Sequence, residues 1–293
     1  MRAPADREPA LRVTCWGTRG SIPAPGPETV RFGGNTSCVE VNAPGCRLIF
    51  DAGTGIRSLS GLLSTEDRPL DAHLFVSHYH WDHIQGFPFL AQIYEPATRL
   101  RVHGPRAGDV PVDEALEGQM SPLYFPVPLR AIAAEVTFST ADGSPWRGGG
   151  VCVEAYRVQH PGVTYGYRVS AGGAAAVYIP DNELGDAPDP AWYAGLVEFV
   201  RGADLLLHDA MLTDAEYEQR RGWGHSSFAQ AVRLAEDARV RRLSLFHHSP
   251  DRTDAELEAI VAELRSGLAS RGAALEVTVA AEREEIAILP GSA

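Results

Sequence analysis

AHLFVSHYHWDHIQG occupies residues 72–86. Its opening, AHLFVSH (72–78), is an apolar run of strand length. Its continuation places His78, His80, Asp82 and His83 within six residues, directly after that strand. A short loop can turn all four side chains inward. Neutral imidazoles and a carboxylate are the donors that suit zinc, iron or manganese. Histidines also serve as caps and surface residues, but four donors at one strand end exceed what either role requires.

Working outward, other apolar runs also end in polar residues. VCVEAYRVQH (151–160) ends in His160, AAAVYIPD (174–181) in Asp181, and RRLSLFHH (241–248) in His247 and His248. Alone, each reads equally well as a structural residue. Together with the central cluster they complete two coordination spheres. Further strands are expected at LRVTCWG (11–17), TSCVEV (36–41), CRLIFD (46–51), RLRVHGP (99–105), TYGYRVS (164–170), ADLLLHDA (203–210), ALEVTVA (274–280) and EEIAILP (284–290). Residues 17–35, rich in Gly and Pro, form a long shaped loop.

Helices are expected after DAGTG (51–55), near Val112–Glu117, and from a Ser226 or Ser227 cap to about Ala238. The clearest helix starts at a Thr253/Glu256 capping box, turns Leu257, Ile260, Val261, Leu264 and Leu268 to one face, and stops at Gly272. Strands in runs with helices between some of them predict an α+β fold: two mixed β-sheets in a sandwich, flanked by helices. Residues 1–10 read as a flexible tail and 11–293 as one domain.

The 293 residues carry 26 Lys and Arg against 38 Asp and Glu, a net charge of −12, which argues against nonspecific coating of nucleic acid. No run approaches the roughly 18 apolar residues of a membrane span. MRAPADREPALRV lacks the apolar core of a secretory signal. Cys15, Cys38, Cys46 and Cys152 show no CxxC spacing and read as reduced, mostly buried thiols of a cytoplasmic protein. DAGTG and Gly33-Gly34 are tight turns and not dinucleotide fingerprints, since GxGxxG is absent.

SHYHWDHIQG resembles the signature of the metallo-β-lactamase superfamily, and the resemblance runs from about residue 12 to 290. It implies an αββα sandwich with metals at one edge. It also implies that His78, His80 and His160 hold one metal, that Asp82, His83 and His247 hold the other, and that Asp181 bridges them. His248 competes with His247. The implied cofactors are two divalent ions, zinc first, with manganese or iron as alternatives. Two further motifs, His208-Asp209 and Gly224-His225-Ser226-Ser227, resemble the phosphodiesterase branch that includes ribonuclease Z and cyclic-phosphate phosphodiesterases. There an acidic residue orients the histidine of an HST-like loop. By that likeness Asp209 holds His225, which faces the scissile phosphate. The departures are Asp209 for the family's Glu and Ser227 for its Thr.

The catalytic residues expected on this basis are Asp82, His225 and Asp209, with Asp82 also orienting a hydroxide shared by the metals. Asp51 is expected to hydrogen-bond a ligand histidine and fix its tautomer. GGNTS (33–37) is expected to line the pocket, and Arg19 either contacts a phosphate or braces a loop. Ribonuclease Z usually carries a protruding Gly- and Pro-rich arm that grips tRNA, and no comparable basic insertion is seen. The expected substrate is therefore a small phosphodiester, such as a cyclic nucleotide or cyclic sugar phosphate. The alternatives are a ribonuclease Z-like RNA endonuclease, a glyoxalase II-like thioesterase or lactonase, and a non-enzymatic metal-retaining sensor. The aromatic segment Leu123–Leu129 either roofs the pocket or packs on a second subunit, and a homodimer is expected by resemblance.

Overall fold

A strand with apolar residues on both faces must be covered on both. Ala174–Ile179 is such a strand, buried at every position. In the computed structural model, which describes residues 8–141 and 143–291, it lies in the middle of a seven-stranded sheet. That sheet contains β7 (Trp146–Gly148), β8 (Val151–Arg157), β9 (Tyr165–Ala171), β10 (Ala174–Ile179), β11 (Leu205–Asp209), β12 (Arg242–Phe246) and β13 (Glu276–Val279), in the order β13-β12-β11-β10-β9-β8-β7. The other sheet contains β1 (Leu11–Gly17), β2 (Cys38–Ala43), β3 (Cys46–Phe50), β4 (Asp71–Phe75), β5 (Arg99–Gly104), β6 (Glu135–Thr140) and β14 (Glu285–Ile288), in the order β14-β1-β2-β3-β4-β5-β6. Each sheet is mixed: β3 to β6 and β10 to β13 pair in parallel, and the remaining pairs are antiparallel.

Alternation along the strands separates three apolar layers. Ala174, Ala176 and Tyr178 of β10 face inward and meet Leu48, Phe50 and Phe75 of the first sheet. Val177 and Ile179 face outward onto α4 (Pro190–Val200), α6 (Phe228–Asp237) and α7 (Asp254–Ser270). On the opposite side, Ile49, Leu74 and Val102 pack under α1 (Ile56–Leu63) and α3 (Val112–Gln119). The order helix, sheet, sheet, helix is the expected αββα sandwich. The Thr253/Glu256 capping box starts α7, which buries Leu257, Val261 and Leu268, and Gly272 follows it at φ 68°.

Among the elements not expected are β6, β7, α4 and α5 (Asp214–Gln219). Both helices carry start signals, Asp189 capping Pro190 and a Thr213/Glu216 capping box, but α5 is only six residues long. The 106–134 segment folds against the first sheet, burying Leu116, Met120 and Leu129. Leu123 and Tyr124 stay 80% and 73% exposed. Of the tail expected over 1–10, residues 1–7 lie outside the described residues, while Ala10 is buried and its amide bonds Ile288 O at 2.9 Å. No helix among the described residues is long and apolar enough to cross a membrane.

Candidate metal centre

The donors sit in the turns that follow β4, β8, β10 and β12. His78 follows β4, His80 is extended (φ −64°, ψ 149°), and the one-turn helix α2 (Trp81–Ile84) then carries Asp82 and His83. In the second sheet β8, β10 and β12 run in the same direction, so one edge collects His160, Asp181 and His247.

Asp181 stands at the centre. Its Oδ2 is 3.4 Å from Nε2 of His78 and 3.4 Å from Nε2 of His160. Its Oδ1 is 3.2 Å from Nε2 of His83 and 3.0 Å from Nε2 of His247. Nδ1 of His80 completes the first group, 3.0 Å from His160 Nε2. Oδ2 of Asp82 completes the second, 3.2 Å from Nε2 of both His83 and His247. Tetrahedral bonds of roughly 2.0–2.1 Å place neighbouring donors about 3.3 Å apart, so these spacings fit two cations that share Asp181. His78 Nε2, His83 Nε2 and Asp181 Oδ1 are buried without a hydrogen-bond partner. A buried polar atom left unpaired is costly, and a cation would supply the missing partner. The cluster suits a dinuclear metal site.

The electrostatics agree. Burial opposes charge on His83, but Asp82, Asp181 and Asp51 prevail and raise its pKa well above the usual value. Burial likewise opposes charge on His247, yet Asp181 and Asp82 push its pKa up to about 10. Asp82 and Asp181 are held well below the carboxylate range, because His83 and His247 outweigh the effect of burial. The carboxylates thus draw positive charge into the site. Burial, helped by neighbouring histidines, pushes the pKa values of His78 and His80 down.

A second tier of contacts fixes ring orientation. His83 Nδ1–H donates to Asp51 Oδ2 at 2.8 Å. Asp51 also accepts from the Ser77 amide at 2.7 Å and from the hydroxyls of Ser77 and Tyr178, each at 2.8 Å. His160 Nδ1–H donates to Gly224 O at 2.9 Å. The Ser21 amide donates to Asp82 Oδ2 at 2.8 Å. Ser21, Asp51 and His247 all adopt left-handed backbone, with φ of 64°, 60° and 57°. Such strain in non-glycine residues tends to gather at functional sites.

His247 faces the cluster, whereas His248 turns away and its Nε2 bonds Ala280 O at 3.0 Å. Asp209 is fully buried and accepts from His225 Nδ1–H at 2.9 Å. The His225 ring stacks on His247 at 5.1 Å and lies 5.4 Å from the His160 ring. One of its nitrogens comes within 4.8 Å of donor atoms on Asp181 and His247. Burial opposes its protonation, but Asp209 wins and raises its pKa.

Two open alternatives resolve and one expectation changes. Arg19 is fully buried and donates to Gly33 O, Ser249 O and Arg252 O, so it braces the 17–35 loop. Thr36 of GGNTS does not line the pocket. It exchanges hydrogen bonds with Thr54 at 2.9 Å each and so supports the DAGTG turn behind Asp82. Ser227 is the cap of α6, while the Ser226 hydroxyl donates to Asn182 O. Sequence reasoning missed Asn182 and Glu183. Asn182 Oδ1 accepts from the Gln159 amide at 3.0 Å, and its own amide donates to Asp209 Oδ2 at 3.2 Å. The available signal was their place directly after a strand-end donor.

Comparison with known proteins agrees with this geometry. A family profile described as "Beta-lactamase superfamily domain" matches residues 46–248. Ribonuclease Z of Haloferax volcanii is 29% identical over 285 residues, covering 82% of this chain and 85% of that protein. The metallo-beta-lactamase fold protein YhfI from Bacillus subtilis superposes with TM-score 0.69 at 20% identity, covering 95% of this chain and 99% of that one. A diphosphatase of the PhnP family superposes with TM-score 0.67 at 18% identity, covering 95% and 99%. The chain belongs to the beta-lactamase superfamily and is a hydrolase of the metallo-β-lactamase fold.

Proposed function

We propose that this protein is a dinuclear metal-dependent phosphodiesterase whose substrate is a small phosphodiester, such as a cyclic nucleotide or cyclic sugar phosphate. The observation that carries the reading is the Asp209–His225 pair beside a seven-residue donor cluster. His78, His80 and His160 would hold one cation, Asp82, His83 and His247 the other, and Asp181 both. Zinc is the first candidate for this all-nitrogen and oxygen set, with manganese and iron next. Two such cations supply activated water at neutral pH and neutralise phosphoryl oxygens.

The remaining work falls to the chain. Asp82 has an oxygen directed at the cluster and orients the attacking water. His225 reaches the cluster while Asp209 holds its Nδ1, so its other nitrogen is left to deliver a proton to the departing oxygen. The raised pKa of His225 keeps that proton in place.

A cavity of about 650 Å³ opens beside His160, walled by Gln159, Pro161, Glu183, Tyr217 and Gly224. That is the size of a small-molecule site. A larger hollow of about 790 Å³, between Arg241, Glu276 and Leu289, contains none of the donors. The net charge of −12 and the folded-back 106–134 segment also favour a small substrate over RNA. The second reading is RNA cleavage, favoured by the relative named ribonuclease Z. Assays of metal-loaded protein on bis(p-nitrophenyl) phosphate, 2′,3′- and 3′,5′-cyclic nucleotides, a tRNA precursor, a thioester and a lactone separate the readings. Turnover of the thioester or lactone alone defeats both. The four free thiols accord with the cytoplasm, where we place the protein. A homodimer through the exposed Leu123 and Tyr124 is proposed as its assembly, with sedimentation as the test.

A further inference from the structure

Two residues beyond the strand-end Asp181 stands Glu183, whose carboxylate is occupied by one loop and its anchor. Its Oε1 accepts from the Gly222 amide at 2.8 Å and the Tyr217 hydroxyl at 3.0 Å. Its Oε2 accepts from the Gly224 amide at 2.8 Å. The Glu183 amide donates to Gln159 O at 2.7 Å, which ties this segment to the turn before His160.

The loop so held does two things. Gly224 O accepts from His160 Nδ1–H, and the next residue is His225. Gly224 has φ 90°, and a Cβ there would lie 2.3 Å from His160 Nδ1, so the backbone packs directly on the ring. A shift of this loop therefore moves a metal-facing histidine and the expected acid together. The backbone amides of Gly222 and Gly224 thus both take Glu183 as acceptor.

We propose that Glu183 is a positioning residue that sets the 222–225 loop, and with it the orientation of His160 and the reach of His225. The inference rests on the phosphodiesterase reading for what His225 does, and on geometry alone for what Glu183 holds. Glu183→Gln is the decisive variant, because it keeps the size of the side chain but turns one acceptor into a donor facing an N–H. Glu183→Ala is a coarser companion, and Tyr217→Phe removes one bond while leaving both amides held.

The test has two parts. First, metal-free protein is treated with trypsin, and cleavage after Arg220 and Arg221 is followed by mass spectrometry. Glu183→Gln should be cut faster than the parent at these sites and at the parent's rate elsewhere, with Tyr217→Phe close to the parent. Second, manganese-loaded protein is assayed on methyl aryl phosphates with leaving groups from p-nitrophenol to phenol. Glu183→Gln should lose ~10-fold on the phenyl ester and clearly less on the p-nitrophenyl ester, a weakened form of the loss expected for His225→Ala. Unchanged cleavage after Arg220 and Arg221 overturns the inference. An equal loss on every ester, with cleavage raised across the whole chain, also overturns it by making Glu183 a general fold residue. If His225→Ala itself shows no leaving-group dependence, the phosphodiesterase reading fails, and the trypsin result alone decides what Glu183 holds.

Discussion

The two sheets supply the site in different ways. The first contributes four donors from one turn, His78, His80, Asp82 and His83, spaced so closely that the chain can hardly avoid bringing them together. The second contributes His160, Asp181 and His247 from three strands separated by many residues, and only shared strand direction brings them to one edge. The contiguous half is a local device, held by Asp51 and Ser77 beneath it. The dispersed half is a topological device, and its precision depends on cross-links between turns such as those of Asn182 and Glu183. Asp181 turns one carboxylate oxygen to each donor group.

The largest expected effect breaks the link between the two donor groups. Asp181→Asn should remove most bound metal from both groups and abolish turnover, by elemental analysis and assay. His80→Ala, within the contiguous half, should abolish turnover while sparing the Asp82, His83 and His247 group. Equal stoichiometry in Asp181→Asn and the parent would show that this residue does not bridge.

Next in size is the acid. His225→Ala should keep both metals yet lose roughly 10²–10⁴-fold in rate on a poor leaving group, and less on p-nitrophenolate. Asp209→Ala should lose less, because the imidazole survives without its brace. Full activity of His225→Ala on a confirmed phosphodiester would remove the main support for this placement.

A smaller effect probes how the dispersed half is packed. A Cβ at Gly20 would lie 2.4 Å from the His247 ring. Gly20→Ala should weaken binding of the cation proposed for Asp82, His83 and His247 by about 10-fold, as loss of ligand support commonly does. Calorimetric titration should then show two unequal sites. Two unchanged affinities would mean that the ring has room to move.

The least effect comes from histidines outside the site. His73 and His103 touch at 2.9 Å and stack beside Phe75 and Trp146. Burial first, then Arg101 for His73 and His73 for His103, lowers both pKa values from 6.5 to about 4. Between those values the unfolded chain binds protons that the folded chain refuses. Their contribution to stability is therefore complete above pH 6.5 and declines as pH falls toward 4. His103→Phe should lose less melting temperature than the parent between pH 7 and pH 5. Parallel curves would contradict this assignment.

What was legible follows the same division. His78 to His83 and the Thr253/Glu256 cap are local patterns, and both were readable from residue types and spacing. The strand-end donors were visible, but strand limits were not. β8 stops at Arg157, because the Val158 amide turns to bond Thr164 O and so releases His160 from the sheet. β6 is an edge strand of alternating exposed and half-buried residues, so its pattern is faint. Arg19 left two readings open and Glu183 carried no legible role, since their partners are backbone groups distant in sequence.

The central claim is that two cations share Asp181, each held by donors from both halves of the site. Anomalous diffraction from crystals of manganese-loaded protein tests it directly. The account predicts two peaks about 3.5–4 Å apart, one among His78, His80 and His160 and one among Asp82, His83 and His247, with Asp181 between them. A single peak, or a pair that Asp181 does not reach, would contradict it.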